Sequence, residues 1–199
     1  MSSVLSSEID AAAIVRFHER QLLQRDWPVL SHAPVRAAPW PAIEANHRYN
    51  GLLWQERERA CRLDLPPAEV AACQELVARY DGKRAAARDA IDKALAGPRR
   101  PGVSTPGETV GALVDGLSAL ALQLHDVRSQ AGCIDAGAEH AQACAVRLER
   151  LLAHRRASMV RLDALLGIFL HPSGRQACRE DHALFDAWRG TISAPYLET

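Results

Sequence analysis

Residues 105–126 read TPGETVGALVDGLSALALQLHD, and the pattern of this stretch decides the fold. Thr105 is a good helix N-cap, Pro106 suits a first turn, and Glu108 falls three residues after the threonine. That is a capping box, in which each side chain satisfies an otherwise orphaned backbone N–H. The spacing predicts a helix from there to about Ser129. At 100° per residue, Val110, Leu113, Leu117, Leu120, Ala121 and Leu124 share one apolar face. The opposite side carries Gly111, Asp115, Ser118, Leu122, His125 and Asp126. Periodicity reads that side as a solvated face, although Gly111 and Ser118 leave room for a ligand or a close helix.

Working outward, breakers divide the rest of the chain into segments of helical length, and β-branched clusters with period-two alternation are absent. A first helix is expected over about 8–24, ending before Trp27-Pro28. A connector dotted with Pro28, Pro34, Pro39 and Pro41 follows, too extended to be helical. A second helix should span about 42–63. Pro66-Pro67 opens a third, reaching roughly Leu95 before Gly97-Pro98. Asp135 is placed to cap a long fifth over 137–170, stopped at Pro172, and a shorter sixth covers about 176–188. Six helices with short loops bury themselves as a bundle. The expectation is one all-α domain over 1–199. It comprises an N-terminal helix and Pro-rich connector (1–40), a helical core (41–170), and a C-terminal helix and tail (171–199).

Composition narrows the function classes. The 199 residues carry 24 Lys+Arg against 24 Asp+Glu, a formal net charge of zero, with 48% hydrophobic residues. A protein that relies on phosphate contacts would usually show a basic excess, so no nucleic-acid partner is expected. No stretch reads as the roughly 20 apolar residues of a membrane span. The N-terminus lacks a basic segment followed by an apolar run, so it does not read as a secretory signal. Cys61, Cys73, Cys133, Cys144 and Cys178 are odd in number and include no C-x-x-C pair. They read as reduced thiols in a cytoplasmic protein.

The second helix carries the most unusual pattern. Ile43, His47, Asn50, Gly51, Trp54, Glu58 and Cys61 lie along one stripe. A stripe mixing Trp with His, Asn and a carboxylate resembles the wall of a polar pocket. The plainer reading is a buried Trp whose indole N–H needs a partner, flanked by hydrogen-bonded groups. Glu44 and His47 form Glu-x-x-His, the spacing by which one helix offers a carboxylate and an imidazole to a metal. No second such motif occurs, and His18, His125, His140 and His154 are the candidates to converge with His47. There is no P-loop, Gly-x-Gly-x-x-Gly or Gly-x-Ser-x-Gly, which counts against nucleotide cradles and serine hydrolases. Arg147, Arg150, Arg155, Arg156 and Arg161 make the fifth helix locally basic. With Glu149 and Asp163 interspersed, they read as a solvated face.

Two of these segments carry a family resemblance. Asn46-His47-Arg48-Tyr49-Asn50-Gly51-Leu52-Leu53-Trp54 is similar to the His-x-x-Asn-x-x-Leu-Trp segment of a bacterial domain-of-unknown-function family, number forty-two fifty-four. Glu108-Thr109-Val110-Gly111 through Asp115, Leu117 and Ser118 resembles its second motif, Glu-Thr-x-Gly-x-x-x-Asp-Arg-Leu-Ser. Glu139-His140, Cys144, Arg147-Leu148, Arg155 and Leu162-Asp163 resemble its long helix. The resemblance covers about 43–166 and implies a cytoplasmic helical protein from neighbourhoods of glycosyltransferase and cell-surface polysaccharide genes. It brings no established reaction. Departures are also present: the family's Arg after the motif Asp is Gly116 here, and its Glu-Asp after the Trp segment is Arg57-Glu58.

Three functions follow from these patterns. The first is a small-molecule site between the second and fourth helices, for a sugar-linked or biosynthetic intermediate. There His47 or His125 would be the acid/base, because an imidazole titrates near neutral pH. Glu58 and Asp115 would orient it or bind substrate, with Asn50, Trp54 and Ser118 holding the ligand. The second is a non-catalytic partner of a biosynthetic enzyme. The third is a metal-dependent oxidase or hydrolase built on Glu44 and His47. No cofactor is indicated by any motif.

Overall fold

The computed structural model describes residues 9–29, 37–96, 108–132 and 137–170. The first helix, α1 (Ala11–Leu22), starts where Asp10, in extended conformation, accepts the Ala13 N–H through its side chain at 2.5 Å. Such a cap satisfies one of the four amides that a helix leaves open at its N-terminus. A second of these, Ala11 N, donates to Asp163 Oδ1 at 2.7 Å, from the far end of the chain. A turn over residues 23–29 follows, and X-Pro bonds at Trp27-Pro28 and Ala38-Pro39 are cis.

Helix α2 (Trp40–Ala60) begins with Pro41 in its first turn, where a missing N–H costs nothing. The sequence pattern placed its start two residues later. Helix α3 (Pro67–Ala96) is launched by the Pro66 carbonyl, which accepts from Glu69 N and Val70 N. Helices α4 (Val110–Ala131) and α5 (Gly137–Leu170) complete the described architecture. The all-α expectation holds, with five helices and no strand among the described residues. The expected sixth helix over 176–188 lies outside them, as do Asp135, Cys133 and Cys178.

The expected capping box does not start α4. The N-cap of α4 is Thr109, whose Oγ1 accepts the Ala112 N–H at 3.1 Å, and the helix starts at Val110. Glu108 thus lies outside the helix, where it pairs with Arg161 of α5. Thr105 and Pro106 are not among the described residues. The next amide of α4, Gly111 N, donates to Asp92 Oδ1 of α3 at 2.7 Å. Carboxylates borrowed from neighbouring helices therefore finish the N-termini of both α1 and α4, where the helix dipole favours them.

The apolar core gathers around α4. Ile14 and Phe17 of α1, Ile43 of α2, Ile91 of α3, Val114 and Leu117 of α4, and Leu162 of α5 all belong to it. Helix α4 is the described helix that is long and apolar enough, by composition, to cross a membrane. Its apolar surface is spent on its neighbours, since it contacts each of the other four helices. The solvated reading of its second face is overturned for the same reason: Gly111, Ser118 and Leu122 are buried along with the first face. A central helix is covered on both sides, so its period-3.6 pattern does not show which side meets water.

Candidate functional site

One turn above this core, α2, α3 and α4 meet at polar side chains. Asn46, His47 and Asn50 are buried on α2, and Ser118 is buried on α4. Asp115 Oδ1 accepts from Asn46 Nδ2 and Asn50 Nδ2, each at 2.9 Å. Asn50 Nδ2 also lies 3.0 Å from Ser118 Oγ, and Ser118 Oγ is 2.8 Å from His47 Nδ1. Arg84 of α3 closes the outer end. Its guanidinium lies 3.9 Å from Asp115, 3.0 Å from Asp81 and 3.4 Å from Asn50 Oδ1. Exposure rises along the chain of contacts, from 1% at His47 to 29% for the Arg84 side chain. The spacing explains the convergence: Asn46 and Asn50 are four apart, and Asp115 and Ser118 three apart, so each pair shares a helical face.

The other side of His47 is aromatic. His18 of α1 stacks on it with centroids 4.3 Å apart and planes at 25°, and Trp27 packs 4.6 Å away at 30°. Gly51 makes the approach of Trp27 feasible, because a Cβ there would sit 2.4 Å from Trp27 Cη2. Arg48 secures the turn by donating to the carbonyls of Pro28 at 2.8 Å and Val29 at 2.6 Å. Both His18 ring nitrogens are buried without a hydrogen-bond partner, and the His47 ring lies against the His18 backbone.

This environment replaces the expectation that His47 titrates near neutrality. Burial pushes its pKa well below the usual imidazole value, and the nearby His18 ring adds to the shift, while a hydrogen bond to the His18 backbone opposes it. Burial alone pushes His18 down to about 3. Both rings are uncharged at neutral pH, so His47 acts there as a neutral hydrogen-bonding group.

The residues expected from sequence divide clearly. His47, Asn50, Asp115 and Ser118 come together in one network. His125 does not join them, being exposed on α4 seven residues beyond Ser118, about 10 Å along the helix axis. Trp54 and Glu58 also stand apart, forming a surface pair in which Trp54 Nε1 donates to Glu58 Oε1 at 2.7 Å. Of the four histidines proposed to converge with His47, His18 does; His140 and His154 are exposed on α5. Among the described residues no group of three or more His, Cys, Asp or Glu is placed to hold a metal, so no further ligand joins Glu44 and His47. The five-arginine face of α5 is only partly solvated, since Arg155 pairs with Glu19 and Arg161 with Glu108. Asn46, Arg84 and Trp27 were missed. Asn46 was legible as the i−4 partner of Asn50; the other two lie far from His47 in sequence and gave no local signal.

An all-α bundle with a buried polar network between three of its helices is the class that this fold and site define. Within that class, the family described as protein of unknown function (DUF4254) matches residues 40–167, and the chain belongs to it. Comparison with curated proteins and with solved structures finds no match in either. The matched span contains the whole α2–α3–α4 network. Residues 1–39, which supply His18 and Trp27 to the other side of His47, lie outside it.

Proposed function

We propose that this protein binds a small polar molecule at the mouth of the α2–α3–α4 network, where Arg84 and Asp115 approach the surface. One observation carries the reading. Six polar side chains from three helices (Asn46, His47, Asn50, Arg84, Asp115 and Ser118) join into a single network that runs from the surface inward to the buried His47 ring. Asp115 and Arg84 then meet the ligand at the rim, and Asn50 and Ser118 hold His47 in a fixed orientation. With its charge suppressed, His47 sets the hydrogen-bond polarity of the network through Ser118.

A thermal-shift and calorimetric screen with nucleotide-sugars, free sugars and small biosynthetic intermediates tests the proposal. A ligand that raises Tm in the native chain, and fails to do so in Arg84→Met and Asp115→Asn, is the supporting result. A ligand whose effect survives both substitutions places binding elsewhere and overturns it.

A further inference from the structure

One long face of α5 is turned away from the bundle. Cys144, Ser158 and Leu162 are buried on its inner side. On the outer side Val146, Ala153 and Val160 stand seven residues apart, with Ala143, Arg150 and Ala157 interleaved. The intervals from 143 to 160 thus alternate between three and four. That alternation is the heptad seam along which one helix packs on another as a coiled coil. Val160 is 70% exposed and Val146 39%, so the seam is open over about 26 Å of helix. A shallow hollow on the same face is bounded by Glu139, Gln142, Ala143 and Val146. These occupy positions i−4, i−1, i and i+3 around Ala143, the four-residue hole that receives one side chain of a facing helix.

The charges beside the seam select the helix that fits it. Glu149 and Arg156 flank it on one side, both exposed, and neither forms an ion pair with a described residue. Neither has a charged residue three or four positions away on α5, so neither has a partner along its own helix. In an antiparallel second copy with Arg150 opposite the partner's Ala153, Glu149 falls opposite the partner's Arg156. The two-fold axis makes that pair twice. The same register brings Val160 to the partner's Ala143, where the hollow lies, and Val146 to the partner's Ala157. A parallel copy would stack Arg150 on the partner's Arg150 instead. On the other flank Arg147 meets the partner's His154, which supplies no acidic group, so the Glu149 side sets the register.

We propose that the outer face of α5 is a homodimer interface, an antiparallel helix pair seated on the Val146–Val160 seam and registered by two Glu149–Arg156 ion pairs.

Sedimentation velocity of the full chain, from about 1 to about 200 µM, tests this. A short seam of small side chains buries an area at the low end for specific complexes, so the dimer is expected at micromolar concentrations. Glu149→Arg and Arg156→Glu should each raise the dissociation constant by about tenfold or more, because each sets like charges together at both pairs. The double exchange Glu149→Arg/Arg156→Glu should return it to near the native value. Val160→Asp should abolish the dimer. Failure of the double exchange to restore association overturns the register. A dimer that survives Val160→Asp and both charge reversals lies on another surface and overturns the proposal. So does a chain that stays monomeric at about 200 µM, the top of the range such an interface calls for. A lowered Tm of Val160→Asp in that monomer would show that the seam is covered within the chain itself.

Discussion

The backbone of Arg88 comes so close to Gly111 that a Cβ added to the glycine would lie 2.4 Å from the Arg88 carbonyl oxygen. This contact sets the spacing of α3 and α4 one turn below Asp115, and hence the reach of Arg84 toward the network. Backbone cannot swing aside as a side-chain tip can. Gly111→Ala should therefore cost about 1–3 kcal/mol through forced separation of the helices. Gly116, also within α4, has nothing within 4 Å of the same added atom. There the substitution should stabilise by about 0.5–1 kcal/mol, because alanine loses less backbone entropy in a helix. Urea unfolding of the two variants checks both signs, and a similar effect at the two sites would contradict the close approach.

Two uncharged imidazoles stacked in the core make stability depend on pH with a definite sign. Burial pushes His18 down to about 3 and His47 in the same direction, whereas both titrate near 6.5 when unfolded. Between those values the unfolded chain binds more protons than the folded one, so stability rises with pH through this window. The contribution is complete above about pH 6.5 and is lost as pH falls toward 3, with a slope of up to about 1.4 kcal/mol per pH unit for each histidine. His18→Leu should flatten the dependence of unfolding free energy between pH 4 and 6.5. A slope unchanged in that variant would mean that His18 is not buried in its neutral form.

The polar network also distinguishes loss of a hydrogen-bond acceptor from loss of a charge. Asp115→Ala strips the acceptor from the amides of Asn46 and Asn50, of which Asn50 and Asn46 are both buried. Asn50 Nδ2 keeps Ser118 Oγ, so the loss falls mainly on Asn46 and should cost about 1–3 kcal/mol. Asp115→Asn can still accept through its carbonyl oxygen and should cost less, while removing the charge that faces Arg84. Equal destabilisation by the two, measured by chemical unfolding, would show that the charge rather than the hydrogen bonding matters to the fold.

Much of the fold was legible because it is written locally. The reading of a helix over 137–170 coincides with α5, and Pro66-Pro67 does open α3. The capping box was misplaced because Thr109, four residues after Thr105, is an equally good N-cap by residue type, although the third residue beyond it is Ala112 and closes no box. The site was half legible. His47, Asn50, Asp115 and Ser118 lie at helical spacing within two motifs, which pattern can detect. Trp54 and Glu58 share the stripe of His47 but satisfy each other at the surface, since a helix turns its far end away from the point of contact. Arg84 and His18 reach the site only through tertiary packing, 34 and 29 residues away from Asn50 and His47, and no periodicity encodes that.

Helix α5 is fastened at two points by arginines that sequence alone assigned to solvent. Arg155 meets Glu19 of α1 at 2.5 Å, and Arg161 takes both carboxylate oxygens of Glu108 just ahead of α4. A two-pronged arginine–carboxylate contact is stronger and more directional than a single one. Both pairs are partly exposed, with side-chain accessibilities of 18–39%, so solvent screens them. Each should contribute no more than about 1 kcal/mol. Arg161→Met should lower stability by that order, and the loss should shrink as salt is raised from 0.05 to 0.5 M, roughly the range over which screening becomes effective. The apolar stem of methionine keeps the packing of the arginine chain, so the salt-dependent part isolates the charge. A double-mutant cycle with Glu108→Gln at both salt concentrations completes the test. A coupling of zero, or one that does not fall with salt, would show that the Arg161–Glu108 contact does not tie α5 to the N-terminus of α4.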